Sequence, residues 1–445
     1  MGRKYFGTDG VRGLANTHPM TAEMALKLGA AAGRYFRKDK KSHRAVIGKD
    51  TRRSSYMIEA ALTAGFASTG MEVFLLGPVP TPAVGMLARS MRADVGVMIS
   101  ASHNPYHDNG IKFFGPDGYK LSDDAEIEIE QLVDGDIKLA SPENIGRVQR
   151  IDDGLGRYME FAKTAFPRRR LLDGLRVVID CANGAAYKAA PTVLWELGAD
   201  VIPVGVSPDG FNINEGCGST CPKTAAQAVI THKADVGICL DGDADRVIMI
   251  DENGVVADGD QIMGLIAGRW CDQGALAHDT LVATVMSNMG LEKHLRARGI
   301  TMLRTDVGDR HVVQTMRKGG YNLGGEQSGH IVMSDYVTTG DGLIAGLQFL
   351  NAMMQSDKSA SALAHVFKPY PQLLKNIRYT DTDPLLDASV KAAIADGEAA
   401  LQSNGRLLIR KSGTEPLVRV MGECEDATLL HRVVGDIAAA VKAAA

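Results

Sequence analysis

Residues 93–105 read ADVGVMISASHNP, and residues 234–246 read ADVGICLDGDADR. Each opens on Ala-Asp, runs through an apolar segment of strand length, and breaks into a polar loop. Two stretches so alike, each preceded by two further strand-like runs, mark an internal repeat. Working outward from them, one set of runs opens a unit: AVIGKDTR from Ala45, RVVIDCANGA from Arg176 and LVATVMSNMG from Leu281. A second set follows at Met71 (MEVFLLGP), Ala199 (ADVIPVGV) and Gly299 (GITMLRTD). The third set is the quoted pair plus YNLGGEQSGH from Tyr321.

Strands alternating with stretches of helical period imply βαβ crossovers and largely parallel sheets covered on both faces. The predicted fold class is therefore α/β: three related βαβ-type sandwich domains with mixed, largely parallel sheets. In such sheets ligands bind beyond the carboxyl ends of the strands. The third strands deliver Ser100–Pro105, Asp241–Arg246 and Gly325–His330 to three equivalent rims. If the units face one another, the three loops meet in one cleft. The C-terminal part differs. Residues 386–402 and 427–443 read as helices flanking two short strands, Arg406–Ile409 and Leu417–Val420, a smaller α+β domain. Boundaries near Pro167, where PRRRLLDG has linker-like composition, near Asn253-Gly254 and near Pro369–Pro371 divide the chain into 1–167, 168–254, 255–369 and 370–445.

The bulk numbers agree with this division. A chain of 445 residues, 45% hydrophobic and 23% charged, is too long for one core and ordinary for a globular protein. A net charge of −4 gives no basic field for nucleic acid. No apolar run approaches the roughly 20 residues that cross a bilayer. MGRKYFGTDGVRG has no apolar signal core, and Phe6 stands where myristoylation needs Ser or Thr. Six scattered cysteines read as reduced thiols, so the expected compartment is the cytoplasm. The CGSTC pair, Cys217 and Cys221, has no second pair at zinc spacing.

DGDADR sets Asp241, Asp243 and Asp245 at alternate positions, which on extended backbone turns all three carboxylates to one side. Such a group repels itself unless a cation joins it, and hard oxygen ligands select magnesium or calcium. An EF-hand would use Glu252 at the twelfth position, but the sixth is Arg246 rather than Gly, and strands lie on both sides. Arg246 then stands ready for phosphate. RKSGTEPLVR offers Arg410, Ser412, the Gly413 and Thr414 amides, and Arg419 as a phosphate cradle. GEQSGH alternates Glu326, Ser328 and His330, which suits sugar hydroxyls and a proton transfer. Arg12 and Lys112 add cations. No GxxxxGK[ST] and no GxGxxG occurs, so no nucleotide cofactor is indicated. Ser102 with His103 could be an ordinary strand exit or an acyl-transfer pair. The chain lacks a G-x-S-x-G elbow, and beside a divalent site and a phosphate cradle the serine suits a phosphoryl carrier.

SASHNP, DGDADR, GEQSGH and RKSGTEP, in this order and over essentially the whole chain, resemble the α-D-phosphohexomutase family. GTDGVRG, NINEGCGST and GEQSGH with its Gln327 resemble the branch that acts on glucosamine phosphates, the alternative being the phosphomannomutase/phosphoglucomutase branch. The resemblance implies four domains in a heart shape around a central cleft: phosphoserine, metal, sugar and phosphate domains in chain order. It implies Ser102 as the phosphoserine, and Asp241, Asp243 and Asp245 with that phosphoserine as Mg²⁺ ligands. It puts Glu326 and Ser328 on sugar hydroxyls, and Arg410, Ser412, Gly413, Thr414 and Arg419 on the non-transferring phosphate. Arg12, His103, Asn104, Lys112, Arg246 and His330 would line the reacting centre. The implied reaction interconverts glucosamine 6-phosphate and glucosamine 1-phosphate through a hexose 1,6-bisphosphate, in amino-sugar nucleotide and cell-wall precursor synthesis. The enzyme would be a monomer or homodimer with no nucleic-acid or membrane partner. Two departures from the family pattern, Ser55 where glycine is common and Cys221 where His is usual, fall outside these residues. A metal-dependent phosphatase and a non-catalytic sugar-phosphate sensor are the rival classes; the separate cradle speaks against the first, three clustered aspartates against the second.

Overall fold

The computed structural model describes residues 3–37, 43–380, 383–411 and 416–445. The chain forms two compact units: Met1–Thr284 with Ile300–Val366, and Val285–Gly299 with Phe367–Ala445.

The first unit holds three sheets built on one plan. In each, the opening strand is central, the second and third strands pair with it in parallel, and a fourth strand returns antiparallel to the third. In the first sheet His43–Lys49 lies between Met71–Pro78 and Val95–Ile99, and Asp108–Phe114 is the return strand. In the second, Arg176–Asp180 lies between Asp200–Val204 and Val236–Leu240, and Val247–Asp251 returns. In the third, Thr280–Thr284 lies between Thr301–Thr305 and Leu323–Gly325, and Ile331–Met333 returns. The repeat legible in the strand runs is thus a repeat of topology. Val95–Ile99 and Val236–Leu240 are buried at every residue, as central strands covered on both faces must be.

The return strands change how the loops are held. A polar loop that continued into a crossover helix would be fixed at one end only by sheet pairing. Here each loop joins two hydrogen-bonded neighbours, Val97↔Phe113 in one sheet and Leu240↔Val247 in the next. The first sheet also gains Val11–Leu14, antiparallel to Asp108–Phe114, which carries Arg12 opposite Gly110.

The second unit is a three-stranded antiparallel sheet, Gln372–Arg378, Leu417–Cys424 and Gly405–Lys411, covered by helices Ala388–Leu401 and Ala427–Ala443. The strand Gln372–Arg378 follows directly on the boundary placed at Pro369–Pro371 and was not read as a strand. The two prolines before it mask the signal, and Lys375-Asn376 interrupts the apolar alternation between Leu373 and Ile377, which pack on the core of this unit. Helix Met289–Ala297 also belongs here. Asn288 caps it and ties it to the C-terminal part, accepting from Tyr370 N at 2.9 Å and donating to Tyr370 O at 3.1 Å. Among the described residues no helix is long and apolar enough to cross a membrane.

Candidate active site

The strand Val95–Ile99 ends in a turn that places Ser102 in the left-handed region, at φ 53°, with almost no exposure. Its Oγ donates to Asp241 Oδ2 at 2.5 Å, and His103 Nδ1 lies 3.5 Å from the same oxygen. A serine at the end of one repeat unit is therefore bonded to an aspartate at the equivalent end of the next.

Asp241, Asp243 and Asp245 are all buried and offer carboxylate oxygens within 4.8 Å of one another. Their remaining contacts are strongly unequal. Asp243 Oδ2 accepts from Thr81 Oγ1 at 2.6 Å and from Lys112 Nζ at 2.9 Å. Lys112 also reaches Asp245 at 3.3 Å and Asp9 at 3.2 Å. Asp243 Oδ1 is buried without a hydrogen-bond partner among the described residues, and Asp245 Oδ1 has only the longer contacts of His330 Nδ1 at 3.5 Å and Arg246 Nε at 3.8 Å. An orphaned, buried carboxylate oxygen in a cluster of three carries a desolvation cost that a hard divalent cation removes. The donor set fits such an ion and offers none of the soft sulfur ligands of a structural zinc site.

The charges sort themselves by neighbour. Burial first, then the charges of Asp245 and Asp243, push the Asp241 carboxyl well above the usual range. Burial would do the same to Asp245, but Lys112 and then His330 hold it well below. Lys112 is buried too, and Asp243, Asp9 and Asp245 more than offset that burial and hold its ammonium charged. Burial, with Arg246 and Arg12 nearby, lowers His103 to about 4, so it is neutral at pH 7.

His330, on the loop between Leu323–Gly325 and Ile331–Met333, brings the third unit to the same place. Its Nδ1 stands 3.5 Å from Asp245 Oδ1, while Nε2 accepts from Gly340 N at 3.1 Å. Burial disfavours its charge, and Asp245 and Asp309 more than offset this and raise its pKa. The Gly340 amide pulls the other way, holding a neutral ring in the tautomer with Nδ1–H toward Asp245. Glu326 accepts from Gly308 N at 3.1 Å through one oxygen and from Ser328 Oγ at 3.1 Å through the other.

Several residues here carry no motif of their own. Asp9 bonds Arg12 and Lys120, and Lys120 in turn bonds Asp309, so a chain of alternating charges runs from Arg12 toward His330. Thr81, at the start of helix Thr81–Ser90, fixes Asp243 by side chain and also by its amide, which donates to Asp243 O at 2.9 Å. Asp9 lies in the GTDG stretch from which only Arg12 was singled out. For Thr81, Lys120 and Asp309 no local signal exists, since their partners are distant in sequence. Glu252 is bound by Ser361 instead, at 2.5 Å, which removes it from any EF-hand role.

In the second unit Arg410 and Arg419 face each other across the ladder of Gly405–Lys411 and Leu417–Cys424. Both are half-buried, and Arg419 Nε is buried with no hydrogen-bond partner among the described residues. Like charges directly opposed on a sheet destabilise it, an arrangement that an anion would relieve. Ser412, Gly413 and Thr414 lie outside the described residues. The six cysteines are free thiols, and burial followed by the Asp180 charge pushes Cys217 up to about 12, against thiolate chemistry at CGSTC.

Four consecutive stretches match the phosphoglucomutase/phosphomannomutase domains: α/β/α domain I over 3–139, domain II over 156–254, domain III over 258–370, and the C-terminal domain over 374–440. The chain belongs to the phosphoglucomutase/phosphomannomutase family. Within it, the chain is 70% identical over 446 residues to the phosphoglucosamine mutase of Dinoroseobacter shibae, covering all of both chains. It is 68% identical over 447 residues to that of Paracoccus denitrificans, with the same coverage. Among solved structures it resembles a family protein from Burkholderia thailandensis, with TM-score 0.83, 22% identity, and 100% and 98% of the two chains covered. It also resembles the Aspergillus fumigatus N-acetylphosphoglucosamine mutase in complex with GlcNAc-6P and magnesium, with TM-score 0.68, 18% identity, and 100% and 96% covered.

Proposed function

We propose that this chain interconverts glucosamine 6-phosphate and glucosamine 1-phosphate by way of a phosphorylated Ser102. The observation that carries this is the buried Ser102 Oγ, 2.5 Å from Asp241 in a triad that holds an unsatisfied oxygen, Asp243 Oδ1. The names of the relatives 66–70% identical to it supply the sugar.

In the forward direction the Oγ–P bond of phosphoserine breaks as the sugar 1-oxygen bonds to the same phosphorus, and the 1-hydroxyl proton passes to a base. The resulting 1,6-bisphosphate turns end for end, its 6-phosphoryl group returns to Ser102, and glucosamine 1-phosphate leaves. Mg²⁺ held by Asp241, Asp243, Asp245 and a phosphoserine oxygen would neutralise charge developing on the transferred group. Lys112, Arg12 and Arg246 spread that charge further. His103, neutral at pH 7 and lowered to about 4, is a weak proton acceptor beside Ser102, and His330 orients against Asp245. Glu326 and Ser328 hold sugar hydroxyls. Arg410 and Arg419, with Ser412, Gly413 and Thr414, grip whichever phosphate is not being transferred. On this reading the chain divides by task into 1–167, 168–254, 255–369 and 370–445, works in the cytoplasm, and takes a hexose 1,6-bisphosphate as activator.

The test compares kcat/KM for glucosamine 6-phosphate, glucose 6-phosphate and mannose 6-phosphate, with Mg²⁺ and glucose 1,6-bisphosphate present. A clear preference for glucosamine 6-phosphate is expected. Equal or better use of glucose or mannose phosphate would overturn the choice of sugar, and turnover by Ser102→Ala would overturn the route.

A further inference from the structure

Ser102 sits in a conformation that L-residues avoid, at φ 53°. A non-glycine residue in the left-handed region is disfavoured and persists only where its surroundings over-determine it. Two side chains do so here, and both grip the same two carbonyls. Arg52 Nη2 donates to Ser102 O at 3.2 Å and to Asn104 O at 2.5 Å. Asn214 Nδ2 donates to Ser102 O at 2.9 Å and to Asn104 O at 3.0 Å. One donor comes from the loop after the strand His43–Lys49, the other from the loop after Asp200–Val204, so the turn is pinned from two repeat units.

The two donors are themselves fixed. Arg52 is wholly buried, its charge matched by Asp50, which also accepts from Arg52 N at 2.9 Å and Ser55 Oγ at 3.0 Å. Arg52 Nη1 reaches Ser100 Oγ at 3.4 Å, and Ser100 Oγ accepts from the Ser102 amide at 2.9 Å. Burying an arginine is costly unless its charge is paired and its donors engaged, and here both terminal nitrogens of Arg52 are engaged while Nε has no partner among the described residues. Asn214 occupies the left-handed region, which asparagine tolerates, at φ 60°, with its amide donating to Ala182 O at 2.9 Å. The aspartate loop presses on this arrangement. A Cβ on Gly242 would stand 2.6 Å from Ser102 O and 2.8 Å from Asn214 Nδ2, so only glycine lets the metal loop approach.

We infer that Arg52 and Asn214 are positioning residues for phosphoryl transfer: together they clamp the Ser102 and Asn104 carbonyls and so hold Ser102 Oγ against Asp241. The inference rests on Ser102 being the phosphoryl carrier. Neither residue has a hydrogen bond to the aspartate triad, to Glu326 or to His330. Their loss therefore moves the nucleophile and leaves the sugar contacts alone, which predicts a fall in kcat with KM unchanged.

The experiment uses full-length Asn214→Gly, which keeps the left-handed backbone but removes the donor, and Arg52→Lys, which keeps a charge for Asp50 but removes the fork. Steady-state kinetics with glucosamine 6-phosphate, single-turnover transfer from Ser102-phosphorylated enzyme, and thermal melting are measured, with Ser102→Ala alongside. The expected result is a 10- to 100-fold lower kcat and single-turnover rate in Asn214→Gly, KM within twofold and a melting temperature within a few degrees. Arg52→Lys is expected to lose at least as much where it folds; should it not fold, Asn214→Gly alone decides. An Asn214→Gly enzyme with kcat within twofold of wild type, or one whose loss lies in KM, overturns the clamp while inactive Ser102→Ala leaves the phosphoserine reading standing. Turnover by Ser102→Ala overturns both.

Discussion

The turn at Ser102 and the sheet position of Arg410 and Arg419 handle charge in opposite ways. Around Ser102 almost every polar group is buried and engaged: its carbonyl by Arg52 and Asn214, its amide by Ser100, its hydroxyl by Asp241. Across the ladder of the second unit, two arginines stand opposite each other with no carboxylate between them among the described residues. One region spends its interactions on holding geometry before any ligand arrives. On the proposed reading, the other keeps its charge for a phosphate. This is the division expected of a transfer enzyme: the reacting group is pre-organised, while a non-reacting phosphate is gripped by groups that gain most when it binds.

The largest effect should come from breaking the organised side. Asp243→Asn removes a proposed cation ligand and weakens the acceptor for both Thr81 and Lys112. A fall in kcat of about 10³-fold is expected, with the half-saturating Mg²⁺ concentration shifted upward. Turnover within tenfold of wild type, at an unchanged Mg²⁺ requirement, would show that the triad is not the cation site.

The responsive side should fail differently. Arg419→Ala removes one of two opposed charges, so KM for glucosamine 6-phosphate should rise about tenfold or more, with a smaller change in kcat. Without substrate the same change relieves repulsion across the ladder, and the unliganded protein should melt no lower than wild type despite the lost packing. A variant that melts well below wild type while keeping its KM would mark Arg419 as structural and collapse the contrast between the two regions.

How far all this was legible in the sequence differs by kind of interaction. The repeat was readable because buried parallel strands leave apolar runs, and the loops because polar clusters at strand ends stand out against them. Ser102, Asp241, Asp243, Asp245, Lys112 and His330 were found in this way and do converge. The antiparallel return strands of the first and third units were not read: Asp108–Phe114 opens on Asp-Asn-Gly, which reads as a turn, and Ile331–Met333 is only three residues long. Arg52 and Asn214 were passed over although AVIGKDTR and NINEGCGST were both quoted. Their targets are backbone carbonyls 50 to 112 residues away, and a carbonyl leaves no mark in a sequence. Asp9, Lys120 and Asp309 were missed for a related reason: a salt-bridge chain across loops has no spacing rule. The strand Gln372–Arg378 was hidden by the prolines before it, which read equally well as a boundary.

The smallest predicted effect sharpens what burial does to a carboxylate. Asp245 and Asp341 are both buried, yet their pKa values move in opposite directions. Lys112 beside Asp245 overcomes its burial, whereas Asp341, capping the helix Gly342–Ser356, has the Tyr158 hydroxyl at 2.9 Å and the Ile344 amide at 2.9 Å but no cation. Burial therefore raises Asp341 to about 7 from an ordinary 3.8. The folded state then holds a proton that the unfolded chain releases near pH 4. Its contribution to stability is full below about pH 4 and is lost as pH rises toward 7, at up to about 1.4 kcal/mol per pH unit. Asp341→Asn keeps the cap and cannot ionise. Between pH 5 and pH 8 the variant should gain roughly 2–3 kcal/mol on wild type, read as a widening difference in melting temperature at fixed ionic strength. Melting curves that stay parallel across that range would mean Asp341 is already ionised at pH 5, with Tyr158 and the helix amides enough to hold its charge, and burial alone would no longer separate it from Asp245.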